Sequence, residues 1–291
     1  MRIGLIDVDS HNFPNLAQMK ISAYHKSRGD QVEKWNGFFH YDIVYKSKVF
    51  TEAYSHDDDF CISADEVITG GTGYDLQNKL PDEIEHQYPD YSLYGINDTA
   101  YGFLTRGCPR GCPFCIVKAK EGETHTVADL GEFWNGQRRI MLMDSNITAS
   151  PECERLFDTL IDSKAVINFE GGLDIRFLTD KGADQLNRMN TEMIHFAWDN
   201  YEFNTYEKLK RFRPMLKKRG RNIRVYVLTN FSTTVEQDLE RIYKLKELDY
   251  DPYVMVYDKP SATKQIKQMQ RWCNNKFVFR SCENFDDYTR R

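Results

Sequence analysis

The chain has 291 residues, 41% hydrophobic and 29% charged, with a formal net charge of -5, which is typical of a globular protein in water. The negative charge excludes a general electrostatic attraction to nucleic acid, and a mean hydropathy of -0.64 argues against a membrane-spanning segment. Because the acidic Asp7 interrupts the N-terminal apolar run too early for a secretory signal, we expect a cytoplasmic protein with no membrane partner.

The first 75 residues alternate short β-branched runs with one helical pattern. The helical pattern covers Pro14 to Arg28 and stops at Gly29-Asp30. The candidate strands are Arg2–Val8, 31–35, Asp42–Val49 and Glu66–Thr69. This pattern predicts a small parallel α/β domain over residues 1–75. Residues 76–100 are rich in turn formers and tyrosine, and we expect them to form a linker.

Strands and helices alternate again from Tyr101 to the end of the chain. The candidate strands are 101–105, 139–143, 165–170, 193–198, 223–229 and 253–257. The candidate helices are 151–163, 180–190, 203–219, 233–247 and 261–272. Six strand–helix units over residues 101–291 predict a parallel barrel, open or closed, with a doubly wound sheet as the alternative. In either architecture the active face lies at the carboxyl ends of the strands.

Three of the seven cysteines, Cys108, Cys112 and Cys115, lie in one loop directly after the first of these six strands. The odd cysteine count argues against a disulfide framework. A structural zinc ion would require a fourth ligand, and the next histidine along the chain is His125. An iron–sulfur cluster bound by three cysteines would leave one iron open to a small-molecule ligand. Zinc and a purely structural cluster of thiols remain as alternatives.

The segment GCPRGCPFC resembles the signature loop of the radical S-adenosylmethionine (SAM) superfamily, including the aromatic Phe114 before the last cysteine. The resemblance covers about residues 95–291 and implies a partial (β/α)6 barrel. It implies that Cys108, Cys112 and Cys115 bind a [4Fe–4S] cluster whose open iron chelates SAM. One electron would then split SAM into methionine and a 5′-deoxyadenosyl radical. Phe114 would lie beside the adenine, and an electron donor of the flavodoxin or ferredoxin type would be a partner.

Polar residues and glycines at the ends of the later strands are candidate contacts with SAM. They are Asp144 and Asn146 after the second strand, Gly171, Asp174 and Arg176 after the third, Asp199 after the fourth and Asn230 after the fifth. Members of the family often have a GGE-like element after the second strand, and this chain lacks its glycines. Each residue also has a structural alternative as a helix cap, a strand-end turn or a local ion pair.

The N-terminal unit resembles the Rossmann-like cobalamin-binding domain that precedes many radical SAM barrels, in the segments RIGLIDVD and VITGGTGYD. The motif of that family is D-x-H-x-x-G, and its histidine can ligate cobalt. Here Asp9-Ser10-His11-Asn12-Phe13-Pro14 has proline in place of the glycine, and the spacing to Gly70-Gly71 is short. We therefore expect a small Rossmann-like domain that shapes the substrate cleft and holds no cobalamin.

Two classes of function follow. The first is a radical SAM enzyme that abstracts hydrogen from an unidentified small-molecule or macromolecular substrate, with methyl and methylthio transfer among the reactions of similar proteins. The four remaining cysteines are scattered, which disfavours a second cluster. The second is a non-catalytic iron–sulfur module, a redox sensor or nucleic-acid-binding regulator. It would use the basic run 208–224, KLKRFRPMLKKRGRNIR, to contact phosphates. The sequence favours the first class.

Overall fold

The computed structural model describes residues 1–11, 13–57, 61–201 and 204–289. Asn12 of the N-terminal motif and the last two residues of the predicted second domain, 290 and 291, therefore lie outside the described residues. Within the described ranges, no helix has both the length and the apolar character required to cross a bilayer.

The N-terminal sheet has four parallel strands in the order β2-β1-β3-β4. Its elements are β1 (Arg2–Asp7), α1 (Leu16–Ser27), β2 (Gln31–Lys34), β3 (Tyr41–Ser47) and β4 (Ala64–Gly70). Alternate residues of β1, Ile3 and Leu5, pack against Ile21 of α1. Asn15 begins the helix because its side chain accepts a hydrogen bond from the amide of Gln18. These are the strands and the helix that the sequence pattern predicts.

The segment that joins the two units contains a short helix, α2 (Asp82–Glu85), and a 3₁₀ turn, Tyr91–Tyr94. The hydroxyl of Tyr94 donates to Asp7 at 3.0 Å, at the end of β1. The hydroxyl of Tyr91 donates to the carbonyl of Phe133 at 2.6 Å. The segment therefore packs against both units and connects them.

The second unit contains six parallel strands and one small hairpin. The parallel strands are β5 (Thr99–Gly102), β8 (Arg139–Leu142), β9 (Val166–Phe169), β10 (Ile194–Ala197), β11 (Ile223–Thr229) and β12 (Asp251–Val256). The hairpin strands, β6 (Thr105–Arg106) and β7 (His125–Thr126), lie between β5 and β8 in the sequence. Sheets β5-β8-β9 and β10-β11-β12 are joined by two isolated bridges. The spatial order follows the chain order without reversal, so the unit is a partial barrel and not a doubly wound sheet.

Helices follow the strands of this barrel. They are α3 (Val117–Glu121) in the cysteine loop, then α4 (Cys153–Ser163), α5 (Asp180–Arg188), α6 (Thr205–Phe212), α7 (Val235–Glu247), α8 (Lys264–Asn274), α9 (Lys276–Ser281) and α10 (Phe285–Thr289). Ile223, Val225 and Val227 of β11 are fully buried in the main core, whereas Arg224 and Tyr226 point to the other face and are half-buried. The period of two thus separates an apolar outer face from a polar, aromatic inner face.

The prediction of one helix over 203–219 was wrong in its length. Helix α6 ends at Phe212 and is followed by a 3₁₀ turn, Arg213–Met215. Pro214 explains the end of the helix, because proline has no amide hydrogen and its ring clashes with the preceding turn.

Candidate functional site

The three predicted ligand cysteines lie on a loop that is closed by the β6–β7 hairpin, which pairs Arg106 with His125. Inside the hairpin, the amide of Cys108 donates to the carbonyl of Gly122 at 3.0 Å. Gly107 has a φ of +84°, and a Cβ there would lie 2.2 Å from the carbonyl oxygen of Glu123. Glycine is therefore required immediately before Cys108.

Cys108 and Cys112 are half-buried and Cys115 is exposed, so solvent reaches the loop. Burial raises the pKa of the Cys112 thiol, and the positive charges of Arg110 and Arg176 oppose that rise. Among the described residues, no three His, Cys, Asp or Glu side chains are arranged to hold one metal ion. The assignment of the three cysteines to an iron–sulfur cluster, in which each thiolate would bind a separate iron, stays a prediction.

Residues at the ends of β8 and β9 converge on Cys108. The side-chain amide of Asn146 donates to the sulfur of Cys108 at 3.3 Å. Thr148 donates to the carbonyl oxygen of the Asn146 side chain at 2.8 Å and accepts from the amide of Asp174 at 2.9 Å. The predicted residues Asn146 and Asp174 are thus linked through Thr148. Thr148 was not predicted from the sequence, because its partners depend on the pairing of β8 with β9.

Asp144 joins the end of β8 to the segment that leads into the cysteine loop. Its carboxylate accepts hydrogen bonds from the amide of Leu104 (3.1 Å) and from the amide and hydroxyl of Thr105 (both 2.6 Å). Burial raises the pKa of Asp144 to about 6. Both carboxylate oxygens therefore have protein partners, and the assignment of Asp144 to SAM stays a prediction. Gly171 lies against its backbone, where a Cβ would be 2.1 Å from the Asp144 carbonyl oxygen.

Arg176 lies between the cysteine loop and the end of β10. Its guanidinium forms a two-pronged ion pair with Asp174, at 2.6 and 2.8 Å. Its charge also acts on Cys112 and on Asp199. Burial raises the pKa of Asp199 to about 6, although the charges of Arg241 and Arg176 favour its ionised form. The structure thus brings three of the predicted residues to one side of the loop.

Aromatic rings pack against Phe114 of the cysteine loop. Phe114 contacts Phe231 with ring centroids 5.4 Å apart, and Phe231 contacts Tyr257 at 4.8 Å. The side-chain amide of Asn230 donates to the carbonyl of Asp258 at 2.8 Å. The backbone of Asn230 has a φ of 59°. Asn230 therefore shapes the turn that brings Phe231 to Phe114. Phe231 was not predicted from the sequence, although it directly follows the predicted Asn230.

The basic run 208–224 spans the end of α6 and the start of β11. Several of its cations pair with carboxylates of this chain: Arg211 with Asp180, Arg213 with Asp249 and Arg224 with Asp251. These pairs lower the positive charge that the run offers to a phosphate. Nucleic-acid binding by this run stays a prediction.

The carboxyl edge of the N-terminal sheet is closed by contacts within the chain. The buried carboxylate of Asp9 accepts from the amides of Val49 and Phe50, at 2.9 and 2.8 Å. A Cβ at Gly71 would lie 2.2 Å from the carbonyl oxygen of Lys48. The glycine loop after β4 therefore packs directly on the segment after β3. His11 is exposed.

No protein-family model matches the chain, and no curated protein matches it in sequence. Among solved structures, it is similar to the radical SAM methyltransferase TsrM from Kitasatospora setae with cobalamin and a [4Fe–4S] cluster bound. The TM-score is 0.64 at 10% identity, over 88% of this chain and 74% of TsrM. A TsrM structure with tryptophan substrate and the SAM analogue aza-SAM gives 0.64 at 12% identity, over 88% and 72%. This chain therefore has the fold of these TsrM structures, a partial barrel preceded by a small parallel α/β domain.

The comparison does not support the expectation that the N-terminal domain holds no cobalamin, because the first of these TsrM structures has cobalamin bound.

Proposed function

We propose that the protein is a radical SAM enzyme with Cys108, Cys112 and Cys115 as the ligands of a [4Fe–4S] cluster. The observation that carries this proposal is the cysteine loop at the carboxyl ends of the barrel strands, with Asn146 donating to the sulfur of Cys108. When bound, the cluster would supply the electron that splits SAM into methionine and a 5′-deoxyadenosyl radical able to abstract hydrogen from a substrate.

The surrounding side chains would bind and orient SAM. Arg176 presents a cation beside Cys112 and would attract the carboxylate of SAM, with Asp174 fixing its orientation. Phe114 and Phe231 would pack on the adenine, which is a planar aromatic ring. Asp199 and the backbone at Gly171 are candidates for the ribose and the methionyl group. An external electron donor of the flavodoxin or ferredoxin type would deliver the electron to the exposed side of the loop.

Anaerobic reconstitution with iron and sulfide, followed by dithionite and SAM, tests this function. We expect visible absorbance from a thiolate-bound cluster and the formation of 5′-deoxyadenosine. The Cys112→Ala variant should lose both, and Cys61→Ala, which changes an exposed cysteine outside the loop, should retain both. A cluster that forms and never cleaves SAM would contradict the proposal and favour the iron–sulfur regulatory module.

Methyl transfer is the reaction subclass that the fold comparison favours. The similarity to TsrM extends over 88% of this chain and therefore includes the N-terminal domain. Incubation of the reconstituted protein with hydroxocobalamin, followed by gel filtration, tests whether this domain retains cobalamin. Retained cobalamin together with S-adenosylhomocysteine formation would support methyl transfer. Protein free of cobalamin that still forms 5′-deoxyadenosine would leave hydrogen abstraction as the reaction.

A further inference from the structure

Four charged side chains connect the N-terminal domain to the cysteine loop. The ammonium of Lys20 on α1 pairs with Glu85 on α2 at 2.9 Å. Glu85 pairs with Arg106 of β6 at 3.3 Å, and Arg106 pairs with Glu121 of α3 at 3.1 Å. Together, Lys20, Glu85, Arg106 and Glu121 form an ion-pair chain. Each of these side chains is at most 28% exposed, so solvent screens the ion-pair chain less than it screens pairs on the open surface.

The last carboxylate of the ion-pair chain contacts the residue before Cys108 and the residue before Asn146. One oxygen of Glu121 accepts from the amide of Gly107 at 3.0 Å and from the hydroxyl of Ser145 at 3.3 Å. Gly107 directly precedes Cys108 in the chain. Ser145 directly precedes Asn146, whose side chain donates to the Cys108 sulfur. Glu121 therefore fixes two segments that set the position of one thiol.

Arg106 forms ion pairs with two carboxylates, those of Glu85 and Glu121. Its guanidinium lies 3.9 Å from the centre of the Phe103 ring, which restricts its movement. Glu85 is in turn shared between Arg106 and Lys20. If Lys20 lost its charge, Glu85 would attract Arg106 more strongly, and Arg106 would be drawn away from Glu121. A change on α1 would thus reach Gly107 without any direct contact.

We propose that Lys20, Glu85, Arg106 and Glu121 are positioning residues through which the N-terminal domain holds Cys108 in place. This gives the N-terminal domain a role in the cysteine loop that requires no cobalamin. The inference rests on the proposed function only in taking Cys108 as a cluster ligand. Its first test therefore uses the full-length protein without iron.

The test is the alkylation rate of each loop cysteine by iodoacetamide, measured peptide by peptide with mass spectrometry. We expect Lys20→Gln to raise the rate at Cys108 by about two- to fivefold, as the loss of one partly buried ion pair implies. The matched control is Lys26→Gln on the same helix, since Lys26 pairs with Asp90 outside the ion-pair chain. It should leave the rate at Cys108 unchanged. Equal rates in Lys20→Gln and wild-type protein would overturn the proposal.

A double-mutant comparison separates transmission along the ion-pair chain from general loosening. Lys20 and Glu121 share no direct contact, and they are joined through Glu85 and Arg106. In a Glu121→Gln background, Lys20→Gln should have no further effect on Cys108. Additive effects of the two substitutions would contradict the proposal. So would a parallel rise at the half-buried Cys153, because that would report loosening of the whole barrel.

A second readout uses the reconstituted protein and a ferrous-iron chelator. Lys20→Gln should speed the loss of iron by a factor similar to its effect on alkylation, and Lys26→Gln should not. If wild-type protein forms no cluster, the proposed function fails while the alkylation result still decides the role of the ion-pair chain. If the cluster forms and Lys20→Gln loses iron at the wild-type rate, the positioning role fails alone.

Discussion

Replacement of Gly171 by alanine tests whether the close approach of the β8 and β9 ends builds the site. The added Cβ would lie 2.1 Å from the carbonyl oxygen of Asp144, and ordinary carbon–oxygen contacts are about 3.3 Å. The two segments would have to separate by about 1.2 Å, the difference between those distances. That movement would strain the hydrogen bond from the Glu170 amide to the Leu142 carbonyl, which is 2.8 Å long.

We expect Gly171→Ala to lower the free energy of unfolding by about 1–3 kcal/mol, as overpacking in closely packed sites does. The melting temperature should fall by about 2–10 °C. Thermal and urea unfolding followed by circular dichroism measure both values. Gly131→Ala is the matched control, because nothing lies within 4 Å of a Cβ at that position. If Gly171→Ala is as stable as Gly131→Ala, the argument from close approach is refuted.

Three further predictions concern single side chains. Asp9→Ala should lower the free energy of unfolding by about 1–3 kcal/mol, because it leaves the amides of Val49 and Phe50 without their acceptor; urea unfolding measures it, and an unchanged midpoint would contradict it. Burial raises the pKa of Asp199 to about 6, so between pH 7 and 5 the folded state binds a proton at Asp199 more readily than the unfolded state does. The free energy of unfolding should therefore rise as the pH falls from 7 towards 5. Asp199→Asn should reduce that pH dependence, and an unaltered slope would exclude Asp199 as its source. Phe231→Ala should weaken SAM binding to the reconstituted protein by about two- to tenfold, and calorimetry showing wild-type affinity would separate this ring from the adenine.

The strands of the barrel could be predicted because their signal is local. In β11, buried Ile223, Val225 and Val227 alternate with half-buried residues, so a period of two is visible in the sequence itself. The β6–β7 hairpin could not be predicted, since each of its strands has only two residues and no period can be read from them. The helix predicted over 203–219 is longer than α6, because the basic residues on both sides of Pro214 continue a helical pattern.

Two kinds of sequence signal indicated the candidate site. One is the spacing of Cys108, Cys112 and Cys115 on one loop, and the other is the polar residues at the ends of the strands, such as Asn146 and Asp174. Thr148 and Glu121 act through partners that the pairing of strands and the closing of the hairpin bring to them. No local pattern distinguishes them from other polar residues of the chain. Side-chain contacts between distant segments therefore required the structure.

The inner face of the barrel shows why the cysteine loop does not determine the substrate. Closed barrels fill their interior with branched apolar side chains, whereas here His195 stacks on Tyr226 at 5.4 Å and Tyr226 contacts Tyr253 at 5.8 Å. These three half-buried rings come from three different strands, and each is separated from the next by about 30 residues of sequence. The contiguous loop thus accounts for how a radical would be generated. The rings of the inner face are dispersed along the chain and meet only when the barrel has folded.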